Sequence, residues 1–217
     1  VTTDSLSFEA IRYERSHLFT TIQTEGQRKT LELLVPGRHN VDNACAALLA
    51  TKIVGISIDQ SIQALASFQS TQRRFEFKGE KKGVLYYDDY AHHPREIDVV
   101  IETVLAMFPD HQIFVAFQPH TFSRTKALFD EFAKVLAKAP HTIITDIFAS
   151  AREEADPSIS SKMLADAALK YSRSESVQYI PTLEELAQYC ETQLSPSSVL
   201  ITLGAGDIYT IHDKIRG

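Results

Sequence analysis

From Val84 to Gly217 the sequence alternates short apolar runs with longer stretches that carry a helical apolar stripe, and no other feature narrows the possible folds as far. Val84 to Asp88 reads as a strand. Ile97, Val100, Ile101, Val104, Leu105 and Phe108 then recur at three- and four-residue spacing, which places them on one face of a helix. Pro94 suits the first turn of that helix, where a missing N–H costs nothing. The beat continues with a strand at Ile113 to Phe117 and a helix through Leu128, Phe132, Val135, Leu136 and Ala139. A strand at Thr142 to Ile147 follows, then a helix through Met163, Leu164, Ala167, Ala168 and Tyr171. Val177 to Ile180 is a strand. Thr182-Leu183-Glu184-Glu185 opens the next helix as a capping box, in which Thr and Glu serve each other's backbone donors. Val199 to Leu203 is the last strand and Ile208 to Ile215 the last helix. Such strand–helix repetition predicts an α/β fold, a parallel sheet with helices on both faces and right-handed crossovers.

The first 70 residues follow a different pattern. Ser7 to Val35 alternates polar and apolar residues, as in Leu18-Phe19-Thr20-Thr21-Ile22, and reads as antiparallel strands. A turn is expected at Pro36-Gly37, an alanine-rich helix over Val41 to Val54, and a second helix through Phe68 opened by the capping box Ser57-Ile58-Asp59-Gln60. This half looks too small for a complete domain. The boundary is expected within Gln72 to Gly83, where Arg73, Arg74, Lys78, Lys81 and Lys82 cluster. The lysines read as a solvated linker that acts as a hinge, with phosphate contact as the alternative.

Hydrophobic residues make up 44% of the 217-residue chain and charged residues 23%, enough apolar material to bury a core, which argues against disorder. Acidic residues outnumber basic ones, 28 to 22, for a net charge of −6. That sign disfavours a non-specific nucleic-acid or acidic-membrane binder, which gains affinity by releasing counterions. Cys45 and Cys190 sit in helical apolar patterns and read as buried, reduced thiols. No stretch is apolar enough for a membrane span and no secretory signal opens the chain, so it reads as soluble and cytoplasmic. It begins at Val1 without a methionine, as a piece of something longer would.

In an open parallel sheet, ligands bind beyond the carboxyl ends of the strands. The unusual residues collect there. Asp88-Asp89-Tyr90-Ala91-His92-His93-Pro94 follows the first strand of the repeating half, and Gln118-Pro119-His120-Thr121-Phe122-Ser123-Arg124 the second. Asp146 through Glu153, with Arg152, follows the third, and Gly204-Ala205-Gly206-Asp207 the last. His92 and His93 have three readings: metal ligands, surface residues at a helix start, or contacts to an anion that the helix N-terminus also favours. His120 and Arg124, four apart, suit an anion as well, since Arg forks onto carboxylate or phosphate; surface capping is the plain alternative. Gly204-Ala205-Gly206 lacks a third glycine and follows the last strand, so it is no dinucleotide fingerprint, and a plain tight turn is its simplest reading. Upstream, Asn40 and Asn43 share a face of a helical first turn. Asn40 reads either as an N-cap or, with Asn43, as an amide that recognises a nucleobase edge. No G-x-x-x-x-G-K-[ST] phosphate loop occurs in the chain.

Taken in order, Gly37-Arg38-His39-Asn40-Val41-Asp42-Asn43-Ala44, Arg73-Arg74-Phe75-Glu76, Asp88 to Pro94, Phe117 to Thr125 and Gly204 to Asp207 resemble the Mur ligases over essentially the whole chain. Within that family the Phe117-Gln118-Pro119-His120 block favours the branch that acts on L-alanine over the related murein tripeptide ligase. The resemblance implies three domains: one for a UDP-sugar, a central one with the ATP phosphate loop and Mg²⁺, and a Rossmann-like one that closes over both. Residues 1–75 would be the C-terminal part of the central ATP-binding domain, a partial α+β segment. Residues 76–217 would be the Rossmann-like ligase domain with a mostly parallel sheet. The phosphate loop, most metal ligands and the UDP site would lie before Val1, in missing domains of the same protein.

The implied activity is ATP-dependent ligation of L-alanine to UDP-N-acetylmuramic acid through an acyl phosphate, in peptidoglycan precursor synthesis, with this fragment inactive alone. The same resemblance implies that His39, Asn40 and Asn43 meet the adenine end, Arg74 the ATP phosphates and Asp89 the ribose. Tyr90, His92, His120 and Arg124 would face the alanine and acyl-phosphate end. Several family members carry arginine where this chain has Thr121, so a carboxylate contact made by that arginine has no counterpart here. Two other readings compete: a stand-alone nucleotide- or anion-binding regulatory module, and a metal hydrolase built on His92, His93, His120 and Asp89.

Overall fold

A computed structural model describes residues 6–14, 17–24, 26–150, 153–172 and 176–216. The chain forms two compact units, Val1–Thr71 and Gln72–Gly217.

In the first unit β1 (Ser7–Phe8), β2 (Arg12–Glu14), β3 (His17–Thr24) and β4 (Gln27–Leu33) form an antiparallel sheet in which β3 is central. Alternation along β3 buries Leu18, Thr20, Ile22 and Thr24. With Leu31 and Leu33 of β4, the two apolar residues of that set cover Val41, Ala44 and Leu48, which recur at helical spacing on α1 (Arg38–Ile53). Gly37, at φ 98°, makes the turn, so α1 begins before the expected Val41. Asn40 therefore lies inside the helix and is not its N-cap; its Nδ2 donates to the Pro36 carbonyl at 2.6 Å. The capping box at Ser57 forms as expected, but α2 (Ile58–Leu65) stops short of Phe68, which is exposed.

The second unit is built on a six-stranded sheet. β5 (Glu76–Lys81) runs antiparallel to β6 (Val84–Asp89). β10 (Ser198–Leu203), β7 (Gln112–Phe117), β8 (His141–Ile144) and β9 (Val177–Tyr179) follow in that spatial order, all parallel. β10 is buried along its whole length. Helices cover both faces. Phe114, Ala116 and Leu200 meet Leu186 and Cys190 of α7 (Leu183–Gln193) and Ile211 and Ile215 of α8 (Ile211–Arg216). From the opposite face, Phe117 packs its ring at 5.3 Å from that of Phe132 on α5 (Phe129–Leu136). Tyr87 likewise meets Phe108, which ends α3 (Pro94–Met107). Full burial of one such side chain contributes about 1.5–3 kcal/mol.

The sheet departs from expectation at one edge. The basic stretch read as a linker and hinge carries β5, joined to β6 by a two-residue turn at Lys82 (φ 53°) and Gly83 (φ 76°). Its lysines are engaged: Lys78 pairs with Glu76 at 3.1 Å, and Lys81 with Glu191 at 3.2 Å and with the Ile215 carbonyl. Charges on an edge strand block pairing with other chains, and they also hide the strand from a hydrophobic pattern. Smaller differences follow from local geometry. β8 ends at Ile144, not Ile147. The helix around Leu128 is two helices, α4 (Phe122–Ala127) and α5, broken where Leu128 adopts φ −113°. The last helix opens as a 3₁₀ turn, Ile208–Thr210. α6 (Ser161–Tyr171) matches its pattern. Cys190 is buried, its thiol pushed up to about 12 by that burial, whereas Cys45 is only partly covered; neither forms a disulfide. No helix among the described residues is long and apolar enough to cross a membrane.

Candidate active site

The register of the sheet sets the site. Leu203, at the end of β10, pairs with Asp89 on one side and Phe117 on the other, so three strands end level and their loops emerge side by side.

Arg73 and Arg74 diverge there. Arg73 turns inward: Nε donates to Asp88 Oδ2 at 2.8 Å, Nη2 to the Gly204 carbonyl at 2.6 Å and Nη1 to the Gly206 carbonyl at 3.1 Å. Its guanidinium lies 4.4 Å from the ring centre of Tyr209 and 5.1 Å from that of Tyr90. Asp88 is wholly buried and takes a further bond from Thr202 Oγ1 at 2.6 Å; Thr202 in turn meets His212 Nε2 at 2.8 Å. The single Thr202 proton serves the carboxylate, so His212 Nε2 is the donor in that second contact. Arg74 is exposed, 5.8 Å from the Tyr90 ring. Sequence reasoning passed over Arg73 and Asp88. Their adjacency to Arg74 and Asp89 was visible, but not which member of each pair faces inward.

Asp89 is 6% exposed, and both its oxygens accept backbone bonds, from Ala91 N at 2.7 Å and Phe75 N at 2.8 Å. Burial raises its pKa against the opposing pull of those bonds and of Arg74. A ribose contact would have to use lone pairs left on oxygens already engaged, so this is the expected role that the geometry supports least. His93 is the N-cap of α3: its Nδ1 accepts from Arg95 N at 3.3 Å, and Glu96 completes a capping box. His92 Nδ1 lies 2.9 Å from the Tyr90 carbonyl, and the two rings meet edge to face at 5.2 Å.

On the other side of β10, His120 stacks on Phe148 with ring centres 5.7 Å apart. His120 Nδ1 and Arg124 Nη1 are buried, with no hydrogen-bond partner among the described residues. Burial lowers the His120 pKa, Arg124 and His92 lower it further, and Glu153 opposes them. Thr121 caps α4 in a left-handed conformation, φ 71°. Arg152, expected in the loop after β8, lies outside the described residues.

The glycine turn after β10 is more than a plain turn. A Cβ on Gly204 would come within 2.6 Å of the Gln118 carbonyl, and one on Gly206 within 2.3 Å of Gln118 Oε1 and 2.7 Å of Phe148. Gln118, buried, braces this turn by donating to Asp207 at 2.8 Å and accepting from Ile208 N at 3.0 Å. Close approach of the loops after β7 and β8 therefore demands both glycines.

Arg74, Asp89, Tyr90, His92, His120 and Arg124 are thus brought to one rim. His39, Asn40 and Asn43 lie on α1 of the first unit, His39 and Asn43 exposed and Asn40 half-buried. Among the described residues no group of three or more His, Cys, Asp or Glu side chains can hold a metal ion. His93 Nδ1 is used as a cap, and both Asp89 oxygens accept backbone bonds.

Residues 73–206 match the family model described as Mur ligase, glutamate ligase domain. This chain belongs to the Mur ligase family. Among curated relatives, the UDP-N-acetylmuramate–L-alanine ligase of Desulfitobacterium hafniense is 43% identical over 84% of this chain and 40% of its own length. The ligase of the same name from Lawsonia intracellularis is 45% identical over 84% of this chain and 40% of its own length. The crystal structure of the UDP-N-acetylmuramate-alanine ligase MurC of Thermotoga maritima superposes with a TM-score of 0.80 at 27% identity, covering 100% of this chain and 46% of that one. This Mur ligase chain therefore spans less than half the length of the relatives it matches, and its rim coincides with the stretch that the family model covers.

Proposed function

We propose that the chain is the C-terminal part of an ATP-dependent, ADP-forming ligase that joins L-alanine to UDP-N-acetylmuramic acid. The observation that carries this reading is a pair of buried nitrogens, His120 Nδ1 and Arg124 Nη1, that have no hydrogen-bond partner among the described residues and lie within electrostatic reach of His92 at the level strand ends. Buried polar atoms without partners are costly and are rarely left so; an anionic reactant satisfies them. The names of the relatives supply the substrates.

In the first step a carboxylate oxygen of the muramic acid bonds to the γ-phosphorus of ATP. The bond to the β-bridging oxygen breaks, and ADP leaves with its electron pair. In the second step the alanine nitrogen bonds to the acyl carbon and inorganic phosphate leaves. Arg124 and His92 offset the charge on the transferring and departing phosphoryl group. Arg74, exposed beside Tyr90, meets the ATP phosphates, and His39, Asn40 and Asn43 contribute to holding adenine. His120, held below its ordinary value, is neutral near pH 7 and accepts the proton that the alanine ammonium sheds before attack. Among the described residues no group of three or more His, Cys, Asp or Glu side chains would hold the Mg²⁺ that the family implies.

The test is sustained ADP release, over many turnovers, by the complete enzyme supplied with UDP-N-acetylmuramic acid. Release that requires L-alanine supports the reading; release that ignores L-alanine, or responds only to a tripeptide, overturns it.

A further inference from the structure

The turn that carries His120 and Arg124 is held from outside by one side chain. Phe122 N donates to Glu153 Oε2 at 2.6 Å and Ser123 N to Oε1 at 2.9 Å. These are the opening N–H groups of α4, which no carbonyl of the helix itself can serve. Bonds from N–H to a carboxylate are short and about twice as strong as neutral ones. Immediately before them Thr121 stands at φ 71°, ψ 140°, a region that a β-branched residue occupies only when its surroundings force it there. Two backbone bonds help to force it: Thr121 N donates to the Phe148 carbonyl at 3.1 Å, and Phe148 N to the Pro119 carbonyl at 2.8 Å. His120 and Arg124 flank the forced residue, each with its buried nitrogen unpartnered among the described residues.

We propose that Glu153 is a positioning residue: its carboxylate clamps the 120–124 turn so that His120 and Arg124 present these nitrogens to one ligand. The mechanics stand on this geometry; the identity of the ligand rests on the ligase reading above. Glu153 also acts on His120 through its charge. The groups that face the imidazole are Arg124 from α4, His92 from the loop after β6, the Phe148 ring and Glu153 itself, and only Glu153 favours the protonated form.

Two measurements test this. The first is the titration of the His120 ring followed by NMR in the 217-residue chain, native against Glu153→Gln and Glu153→Ala. Both variants are expected to lower the midpoint further, because a negative charge beside the ring is lost. The second is steady-state kinetics in the complete enzyme. Glu153→Ala is expected to lower kcat/KM for L-alanine about a hundredfold, the usual cost of small misplacement, and to leave KM for ATP within about twofold. Glu153→Gln keeps one acceptor and is expected to fall between Glu153→Ala and native; if the alanine variant fails to fold, the glutamine variant decides. An unmoved His120 midpoint, or a rise in KM for ATP as large as the loss of kcat/KM for L-alanine, overturns the proposal. An enzyme that proves to use another amino acid defeats the ligase reading alone, and the titration in the chain then still tests the clamp.

Discussion

The two sides of the strand-end rim hold their charges in opposite ways. Beside β6 and β10, Arg73, Asp88, Thr202 and His212 form a chain in which every proton between them has an acceptor. Beside β7 and β8, His120 and Arg124 keep buried nitrogens unpaired among the described residues. The first arrangement is architecture, since it ties the end of β6 to the glycine turn after β10. The second is costly as it stands, at about 1–3 kcal/mol for each unsatisfied group, and a bound anion returns that cost. Satisfied and unsatisfied charges a strand apart therefore separate what builds the rim from what the rim is for.

Replacing Arg73 with Met should break that contrast with the largest effect. Asp88 would be left as a buried, uncompensated carboxylate, and urea unfolding should show a loss of about 3–5 kcal/mol. Replacing both partners, as Arg73→Met with Asp88→Leu, should recover much of this. If the single variant is as stable as native, Arg73 is not architecture.

Arg124→Ala should do the reverse. Because Nη1 has no partner among the described residues, the chain should unfold at or slightly above the native midpoint. In the complete enzyme kcat/KM for L-alanine should fall by about 10²–10³, as when a donor to developing charge is removed. A large stability loss without that kinetic loss would place Arg124 with Arg73.

A pH profile sharpens the same comparison. The folded-state pKa of His120 is depressed, so the neutral form is present at neutral pH and is lost as pH falls through the folded value. The acid limb of kcat/KM should therefore lie below the ordinary histidine value of about 6.5. Arg124→Gln removes a positive charge that opposes protonation, so whatever activity remains should show its acid limb moved upward. A limb that moves down, or stays, excludes His120 as the group that must be neutral.

How much of this was legible in the sequence follows from what each feature depends on. The central strands β7 and β10 were legible because burial on both faces makes each a nearly unbroken apolar run. β5 was not: Glu76, Lys78, Glu80 and Lys81 look like a linker, and only pairing with β6 makes them a strand. The loops were legible because the carboxyl ends of parallel strands meet at one edge. Which arginine or aspartate of an adjacent pair turns inward was not, since that is decided by Gly204, Gly206 and Thr202, more than a hundred residues away in sequence. Glu153 left no local signal either, because its partners are backbone N–H groups of another segment.

Thr121 offers the smallest and most discriminating test. At φ 71° glycine is at ease and threonine is not, so Thr121→Gly relieves local strain. It also frees the unfolded chain and removes the hydroxyl that accepts from Arg124 N at 3.4 Å, a long and therefore weak bond. These contributions oppose one another, and the net change in stability should stay within about 1 kcal/mol. Activity is the sharper readout. If external bonds hold the turn, a residue with greater freedom at its centre should remain in place while Glu153 is present, and kcat/KM for L-alanine should drop only a few fold. Combined with Glu153→Gln, the same glycine should cost more than the two single losses multiplied, because the turn then lacks both its clamp and its stiffness. Simple multiplication of the two effects would mean that the conformation at Thr121 and the carboxylate of Glu153 act independently on His120 and Arg124.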